Sequence, residues 1–152
     1  MDRTDKAILK ALEGDARLSF ADLGERVGLS KSPCWNRVQT LEASGAITGY
    51  HAALSAKALG IETFAFVQLS IAFDRHDAFE TAVRAHPSII ACHATVGESD
   101  YLLQVATRSM ADLDDFLRDE LWRLPGVKRF TTTIAMRAVK TDGSLLAAAD
   151  AP

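Results

Sequence analysis

The polar side chains between residues 30 and 40 have the types and the spacing that could do chemistry. They are rich in hydrogen-bond donors and include two cations. Arginine suits the edge of guanine and asparagine or glutamine the edge of adenine, whereas serine, threonine and lysine suit phosphate oxygens. Double-stranded DNA is therefore the candidate partner. The residues concerned are Ser30, Lys31, Ser32, Trp35, Asn36, Arg37, Gln39 and Thr40.

Three short helices must position these side chains. A first helix is predicted over residues 4–12, where apolar residues form one stripe. Ser19 and Asp22 predict a capping box that opens the second helix. Gly28 can end that helix in the left-handed conformation at low steric cost. The resulting tight turn leads directly into the segment that carries the polar side chains.

The third helix is predicted over residues 30–44, with Ser30 as its cap. Cys34, Val38 and Leu41 recur at helical spacing and should face inward, which leaves the polar set largely outward. A helix-turn-helix with a polar outer face fits the major groove of DNA. The same spacing also suits an ordinary helical hairpin packed in a small domain.

Charge does not favour a strongly basic DNA binder. The chain of 152 residues has a formal net charge of −3 at pH 7. Residues 1–50 carry seven basic and seven acidic side chains, so the acidic excess lies in residues 51–152. Contacts with phosphates must then come from cations clustered on one face and multiplied by oligomerisation.

Composition excludes several other kinds of site. Apolar runs fall short of the ~20 residues of a membrane span, and the first residues lack a signal pattern, so cytoplasmic localisation without a membrane partner is expected. Cys34 and Cys92 lie in separate apolar segments, which favours reduced, buried thiols. The four histidines have no ligand spacing. The sequence therefore predicts neither a metal site nor a cofactor.

A different rhythm governs the second half of the chain. Alternating apolar residues predict strands, and helical spacing behind capping residues predicts two helices. The order is β-α-β-β-α-β, the ferredoxin-like arrangement, with both helices on one face of a four-stranded antiparallel sheet. The predicted strands span residues 63–73, 89–96, 101–107 and 127–135, and the predicted helices span residues 74–85 and 109–121.

The predicted domain organisation follows from this change of rhythm. Phe64 and Phe66 should lie on the sheet face away from the helices, where we expect a second subunit to cover them. Residues 46–54 are extended in character and predict a linker strand. The predicted segments are a DNA-binding domain (1–50), a linker (51–62), an effector-binding and oligomerisation domain (63–146) and a flexible tail (147–152).

Three segments resemble the Lrp/AsnC family, the leucine-responsive or feast/famine regulators. They read RVGLSKSPCWNRVQTLEASGAITGY around the helix-turn-helix, GESDYLL over Gly97–Leu103, and LWRLPGVKRFTTTIAM over Leu121–Met136. The resemblance implies an α+β fold, with an N-terminal winged-type helix-turn-helix domain joined by a strand linker to the ferredoxin-like domain. It implies a sequence-specific DNA-binding transcriptional regulator, not an enzyme.

The resemblance also implies an assembly and an effector. Family members dimerise through their sheets and commonly form tetramers or octamers, and a small effector, usually an amino acid, binds between dimers. Asp100 would be the first effector residue, whereas Ser99 and Trp122 depart from the common family pattern. The effector positions implied are Val96, Gly97, Glu98, Ser99, Asp100, Tyr101, Thr132, Thr133 and Ile134.

Alternatives remain open at this point. The chain could be a DNA-organising protein with low sequence specificity and no amino-acid effector. It could be an amino-acid-binding module whose helix-turn-helix is only a packing unit, or an enzyme, although no phosphate-binding loop or nucleophile–base pair is evident. Individually, Gly97–Asp100 could be a plain hairpin turn, the threonines of residues 131–133 could be simple strand formers, and Trp35 could pack on the first helix.

Overall fold

The structure is a computed structural model that describes residues 1–151. The chain divides into two compact units, one formed by residues 1–53 with 140–152 and the other by residues 54–139. The helices are α1 (Arg3–Gly14), α2 (Phe20–Val27), α3 (Lys31–Ala43), α4 (His76–Ala85), α5 (Met110–Asp115) and α6 (Leu145–Ala149). The strands are β1 (Thr63–Ile71), β2 (Ile89–Ala94), β3 (Tyr101–Thr107) and β4 (Val127–Ile134).

Capping residues set the helix starts in the first unit. Asp2 and Asp5 form a reciprocal capping box at α1, because each side chain accepts the other residue's backbone N–H. Ser19 caps α2 by accepting the N–H of Asp22, as predicted, but its own hydroxyl donates to that carboxylate. Ser30 occupies the cap position of α3 without a side-chain capping bond, which corrects the predicted cap.

The core of the first unit is small. It consists of Ile8 from α1, Leu23 from α2, and three residues of α3, namely Cys34, Val38 and Leu41. The left-handed turn after α2 is formed by Gly28, with φ of 72°. The helix-turn-helix geometry is thus built from a glycine turn and a single apolar contact zone, as the spacing predicts.

The C-terminal segment differs from the predicted flexible tail of residues 147–152. Within the first unit, α6 begins after Ser144, whose hydroxyl accepts the N–H of Ala147. Glu13 of α1 accepts the Ser144 hydroxyl at 2.5 Å and the Leu145 N–H at 2.9 Å. A helix therefore forms here because α1 supplies acceptors for its first turn. Pro152 lies outside the described residues.

The second unit is a four-stranded antiparallel sheet with the strand order β2-β3-β1-β4. Both predicted helical regions are present, and buried residues of α4 and α5 pack with the sheet into one core. After α5 the chain continues as a π-helical turn (Phe116–Glu120) and a 3₁₀ turn (Leu121–Arg123). This is the predicted ferredoxin-like arrangement.

The two faces of the sheet differ in character. Alternate residues of β1, including Ala65, Val67 and Leu69, are buried against the helices. Phe64 and Phe66 lie on the opposite face, where Phe66 keeps 38% of its surface exposed. The prediction that these two aromatic side chains occupy the open face is confirmed.

Three local predictions differ from the structure. The predicted linker strand at residues 46–54 pairs with no other strand in the part of the chain described, and a strand needs such a partner to satisfy its backbone. For the same reason the first unit lacks a paired wing within residues 1–151. Phe73 leaves β1 and is 92% exposed, because β1 ends at Ile71.

No helix among the described residues is long and apolar enough to cross a membrane.

Candidate functional site

The outer face of α3 carries the predicted DNA-contacting residues. All of them except Arg37 are exposed. Ser32, Asn36 and Thr40 follow one another at intervals of four residues, so they form a polar stripe along the helix. The Thr40 hydroxyl donates to the backbone carbonyl of Asn36 at 3.0 Å, and the Asn36 side-chain amide makes no hydrogen bond within residues 1–151. Trp35 lies beside this stripe and is 47% exposed.

A hydrogen-bonded cluster steadies the C-terminal half of α3. The Gln39 amide donates to one oxygen of Glu42 at 2.8 Å, and the Tyr50 hydroxyl donates to the other at 2.8 Å. Burial, followed by the nearby Glu42 carboxylate, raises the pKa of Tyr50 to about 12. Tyr50 therefore stays a neutral donor, and the Gln39 side chain is held in one orientation with its carbonyl oxygen unshared.

Arg37 is placed differently from the other predicted contact residues. Its Nη1 atom donates to Asp2 Oδ2 and to Asp5 Oδ1, both at 2.7 Å. The capping bond from the Asp5 N–H and then the Arg37 contact lower the pKa of the Asp2 carboxyl. The two carboxylates raise the pKa of Arg37 in turn. The sequence assigned Arg37 to the outer face, but the structure binds it to the start of α1.

The turn between β2 and β3 forms the second candidate site. Gly97 has φ of 146°, a conformation that favours glycine, and Val96 is fully exposed. The Thr95 hydroxyl donates to the Ser99 carbonyl at 2.6 Å and closes the turn. A pocket of about 350 Å³ lies against it. The pocket is lined by Gln68, Thr95, Val96, Gly97, Glu98, Ser99 and Leu102.

Sequence reasoning missed several members of this site. Gln68 and Leu102 reach the pocket from neighbouring positions of β1 and β3. Arg129 of β4 donates from Nη2 to the Glu98 carbonyl at 2.7 Å and so fixes the turn to the sheet. Gln68 could have been found from the sequence, since it is a polar residue on the face that also carries Phe64 and Phe66.

Asp100 and Tyr101 point away from that pocket. Asp100 Oδ2 accepts the Ile71 N–H at 2.8 Å, and the Asp100 N–H donates to the Leu69 carbonyl at 3.0 Å. The Asp100 carboxylate, which the family resemblance implies as the first effector residue, therefore anchors the turn to the end of β1.

Tyr101 belongs to the helix side of the sheet, where it is 3% exposed. Its hydroxyl donates to Glu80 at 3.0 Å and lies 2.8 Å from His76 Nδ1. Burial, with the Glu80 contact next, raises the pKa of Tyr101 to about 12. Its ring lines a cleft of about 420 Å³ between α4 and β2, which includes Cys92.

The three predicted positions on β4 are not brought together. Thr133 pairs with Phe66, so it lies on the open face of the sheet. Thr132 and Ile134 pair with the buried residues Val67 and Ala65, so they lie on the helix face. Thr133 therefore shares a sheet face with the pocket residues Gln68 and Leu102, although it does not line the pocket, and the other two lie on the opposite face.

The cysteines and histidines do not gather into one cluster in the part of the chain that the structure describes. No group of three or more potential metal ligands occurs among residues 1–151. Cys34 is a buried free thiol, as predicted, whereas Cys92 is a free thiol that is only half-buried, and burial raises the pKa of each. Their chemistry is that of packed side chains.

Comparison with known protein families covers both units. Residues 1–42 match the AsnC-type helix-turn-helix domain, and residues 64–145 match the Lrp/AsnC ligand binding domain. The leucine-responsive regulatory protein of Escherichia coli K12 is 38% identical over 149 residues, which cover 96% of this chain and 91% of that protein. The proline dehydrogenase transcriptional activator of Rhizobium radiobacter is 37% identical over 146 residues, which cover 94% of each chain.

Solved structures share the same architecture. A transcriptional regulator from Neisseria meningitidis, crystallised as a complex with L-Met, superposes with a TM-score of 0.89 at 36% identity, covering 93% of each chain. An AsnC family transcriptional regulator from Agrobacterium tumefaciens superposes with a TM-score of 0.89 at 30% identity, covering 95% of this chain and 96% of that one.

Proposed function

The chain belongs to the Lrp/AsnC family of transcriptional regulators, and on that premise we propose that α3 reads DNA sequence while an amino acid at the 95–99 turn controls binding. The observation that carries the DNA-contacting part is the exposed stripe of Ser32, Asn36 and Thr40 on α3. Asn36 and Gln39 contact adenine edges in this proposal. Ser30 and Lys31, at the start of the helix, contact phosphates.

Selection from a randomised pool of DNA duplexes tests the DNA-contacting surface. We expect the full-length protein to enrich a roughly palindromic motif, with half-sites about one helical turn (~34 Å) apart, because two copies of α3 are presented by a symmetric dimer. Asn36→Ala should relax base preference at one position per half-site, at a cost of about 1–3 kcal/mol. Binding without an enriched motif would favour a DNA-organising protein and contradict sequence-specific regulation.

The turn pocket has the chemistry to hold a zwitterion. The Glu98 carboxylate suits an α-amino group. The N–H groups of Gly97, Glu98 and Ser99 make no backbone hydrogen bond within residues 1–151, and such groups suit a carboxylate. Leu102 and Val96 offer apolar surface to a side chain. The related N. meningitidis regulator was crystallised with L-Met, which supports an amino acid as the class of effector.

A thermal-shift screen of the common amino acids tests this pocket. A ligand present at one hundred times its dissociation constant should stabilise the folded protein by about 2.7 kcal/mol. Glu98→Gln should abolish the response by removing the partner of the amino group. Glu62→Gln, which lies outside the lining residues, is the matched control. A response that Glu98→Gln leaves intact would move the effector away from this turn.

The open sheet face supports a homo-oligomer. Phe66 is 38% exposed there, and Phe64 and Leu102 are half-buried beside it. We propose that a second copy covers this surface, since isolated apolar faces of this kind are costly in water. Phe66→Lys should shift the protein toward monomer in light scattering coupled to size exclusion. An unchanged oligomer would place the interface elsewhere.

A further inference from the structure

Arg37 lies on the flank of α3 that faces the core. It follows Cys34 by three residues and precedes Leu41 by four, and both of these are buried. Residues at such intervals share one side of a helix. Arg37 is half-buried, whereas every other predicted contact residue of α3 is exposed. Its position is therefore lateral to the polar stripe and not part of it.

The capping box and the Arg37 contact together use all four carboxylate oxygens of Asp2 and Asp5. Asp2 Oδ1 and Asp5 Oδ2 accept the reciprocal backbone N–H groups of the capping box at 2.8 and 2.9 Å. The remaining oxygens, Asp2 Oδ2 and Asp5 Oδ1, both accept from Arg37 Nη1. The first turn of α1 and the middle of α3 are thus joined by one guanidinium, and the Asp5 side chain is only 18% exposed at this junction.

We infer that Arg37 is a positioning residue: it fixes α3 on the capping box of α1, and sequence readout falls on the uncharged polar stripe of Ser32, Asn36 and Thr40 together with Gln39 beside it. This inference rests on the proposed DNA-binding function. Chain separation hides the device in the sequence, because Asp2 and Asp5 precede Arg37 by 35 and 32 residues.

Electrostatics favours this arrangement over an arginine that reads bases. Swinging Arg37 toward DNA would remove the cation shared by two carboxylates and leave both acids near a helix that approaches phosphates. The resulting repulsion and lost hydrogen bonds oppose such a movement. A reading surface without a cation should also prefer adenine contacts, which asparagine and glutamine make, over the guanine contacts typical of arginine.

The effect of Asp5→Asn on DNA affinity distinguishes a positioning role of the ion pair from a simple effect of charge. Asp5→Asn keeps a side-chain oxygen for the capping box but turns an amide against Arg37. If the ion pair positions α3, this variant should bind the duplex selected from the pool about threefold or more weakly. Simple electrostatics predicts the opposite, since removing a negative charge should strengthen DNA binding. Glu25→Gln removes one negative charge from the exposed surface of α2 and is the control for net charge, expected to bind equally well or slightly better.

Combining Asp5→Asn with a substitution of Arg37 provides an internal control. Arg37→Met retains much of the side-chain length while removing the cation. In that background, Asp5→Asn should strengthen binding, because the carboxylate no longer has a partner to position. If Asp5→Asn strengthens binding in the wild-type background as well, the positioning role is overturned.

Base preference and salt dependence provide independent readouts. Arg37→Lys keeps the charge and one contact with α1, so the enriched motif should be unchanged. The slope of log Kd against log salt should also be unchanged in Arg37→Met, whereas Lys31→Ala should reduce it by about 1 if Lys31 contacts a phosphate. A motif that loses a guanine preference with Arg37→Lys would show that Arg37 reads a base, and the inference would be wrong.

Thermal denaturation distinguishes failure of this inference from failure of the proposed function. Absence of any enriched motif with the wild-type protein would count against sequence-specific binding and against the stripe as its reader. The contact itself is decided by the melting temperatures of Asp5→Asn, Arg37→Met and the double variant. We expect the double variant to lose less than the sum of the two single shifts. Additive shifts would overturn the role of Arg37 in fixing α3.

Discussion

The two units are stabilised in different ways. Among the described residues, the second unit has a core of thirteen buried side chains, whereas the first has five. Polar contacts between distant residues compensate in the first unit, where Arg37 joins α3 to α1 and Glu13 joins α1 to α6. The difference shows how a small unit holds a precise helix geometry: apolar packing gives compactness, and directed hydrogen bonds set the angles.

Each unit contains one tryptophan, so the comparison can be measured directly. Trp35 lies in the first unit and Trp122 in the second. Trp122→Phe leaves a fluorescence reporter only in the first unit, and Trp35→Phe leaves one only in the second. Unfolding of each unit can then be followed separately in these two backgrounds.

The largest expected effect is in the apolar core of the second unit. Phe79 of α4 is fully buried against Tyr101, with ring centroids 4.7 Å apart. Phe79→Ala should lower the free energy of unfolding reported by Trp122 in urea by about 3–5 kcal/mol, through lost contacts and a cavity. Phe73→Ala, at a position 92% exposed, should change it by less than about 0.5 kcal/mol. An equal loss in the Trp35 signal would show that the units unfold together.

A close approach of the backbone to Gly24 should make the stability of the first unit sensitive to substitution there. A Cβ atom at Gly24 would lie 2.6 Å from the carbonyl oxygen of Leu29, so α2 approaches the following turn too closely for a side chain. Gly24→Ala should therefore cost about 1–3 kcal/mol in unfolding followed by Trp35. Gly14→Ala is the control, because nothing lies within 4 Å of its Cβ position. Equal stability of the two variants would contradict this account.

The role of Asp100 in the second unit can be separated from effector binding. Asp100→Ala leaves the Ile71 N–H without its acceptor and should cost about 1–2 kcal/mol in unfolding followed by Trp122. Asp100→Asn keeps an acceptor and should recover most of that loss. If both variants are as stable as the wild type, the carboxylate does not anchor the turn, and a direct role with an effector becomes the better explanation.

Acid should weaken the first unit through its carboxylates. The Asp5 N–H and Arg37 lower the pKa of Asp2, and the Ser144 hydroxyl lowers the pKa of Glu13. A carboxyl whose pKa is lower in the folded state adds stability above its unfolded pKa and loses it as the pH falls through the folded one. The melting temperature followed by Trp35 fluorescence should therefore decrease as the pH is lowered below about 4. The double variant Asp2→Asn, Glu13→Gln should have a flatter profile, and an unchanged profile would contradict these contacts.

The sequence was sufficient for the fold class because periodicity reports which face of an element is buried. Apolar alternation located β1 and β3, and capping residues with Gly28 located the helix-turn-helix. The Lrp/AsnC assignment followed from motifs in both units, and it is confirmed by the family matches. These features are local, so they can be recognised without long-range contacts.

The parts that were missed depend on partners far away in the chain. Helical spacing made Arg37 look exposed, since nothing nearby indicates that Asp2 and Asp5 will meet it. Asp100 was assigned to the effector from its match to the family's turn motif, and its bond to the backbone N–H of Ile71 is one that no side-chain pattern reveals. The DNA and effector residues remain predictions, although the pocket at the turn now includes Gln68 and Leu102.

The return of the chain to its first unit has a consequence for protein synthesis. Residues 140–151 leave the ribosome after every residue of the second unit. During synthesis α1 therefore lacks its hydrogen-bond partners on α6 until the second unit is already able to fold. The isolated segment 1–53 would carry Glu13 without Ser144 and Lys6 without Asp150. The DNA-contacting unit is therefore begun first and completed last, and a fragment that stops at residue 53 represents an unfinished form of it.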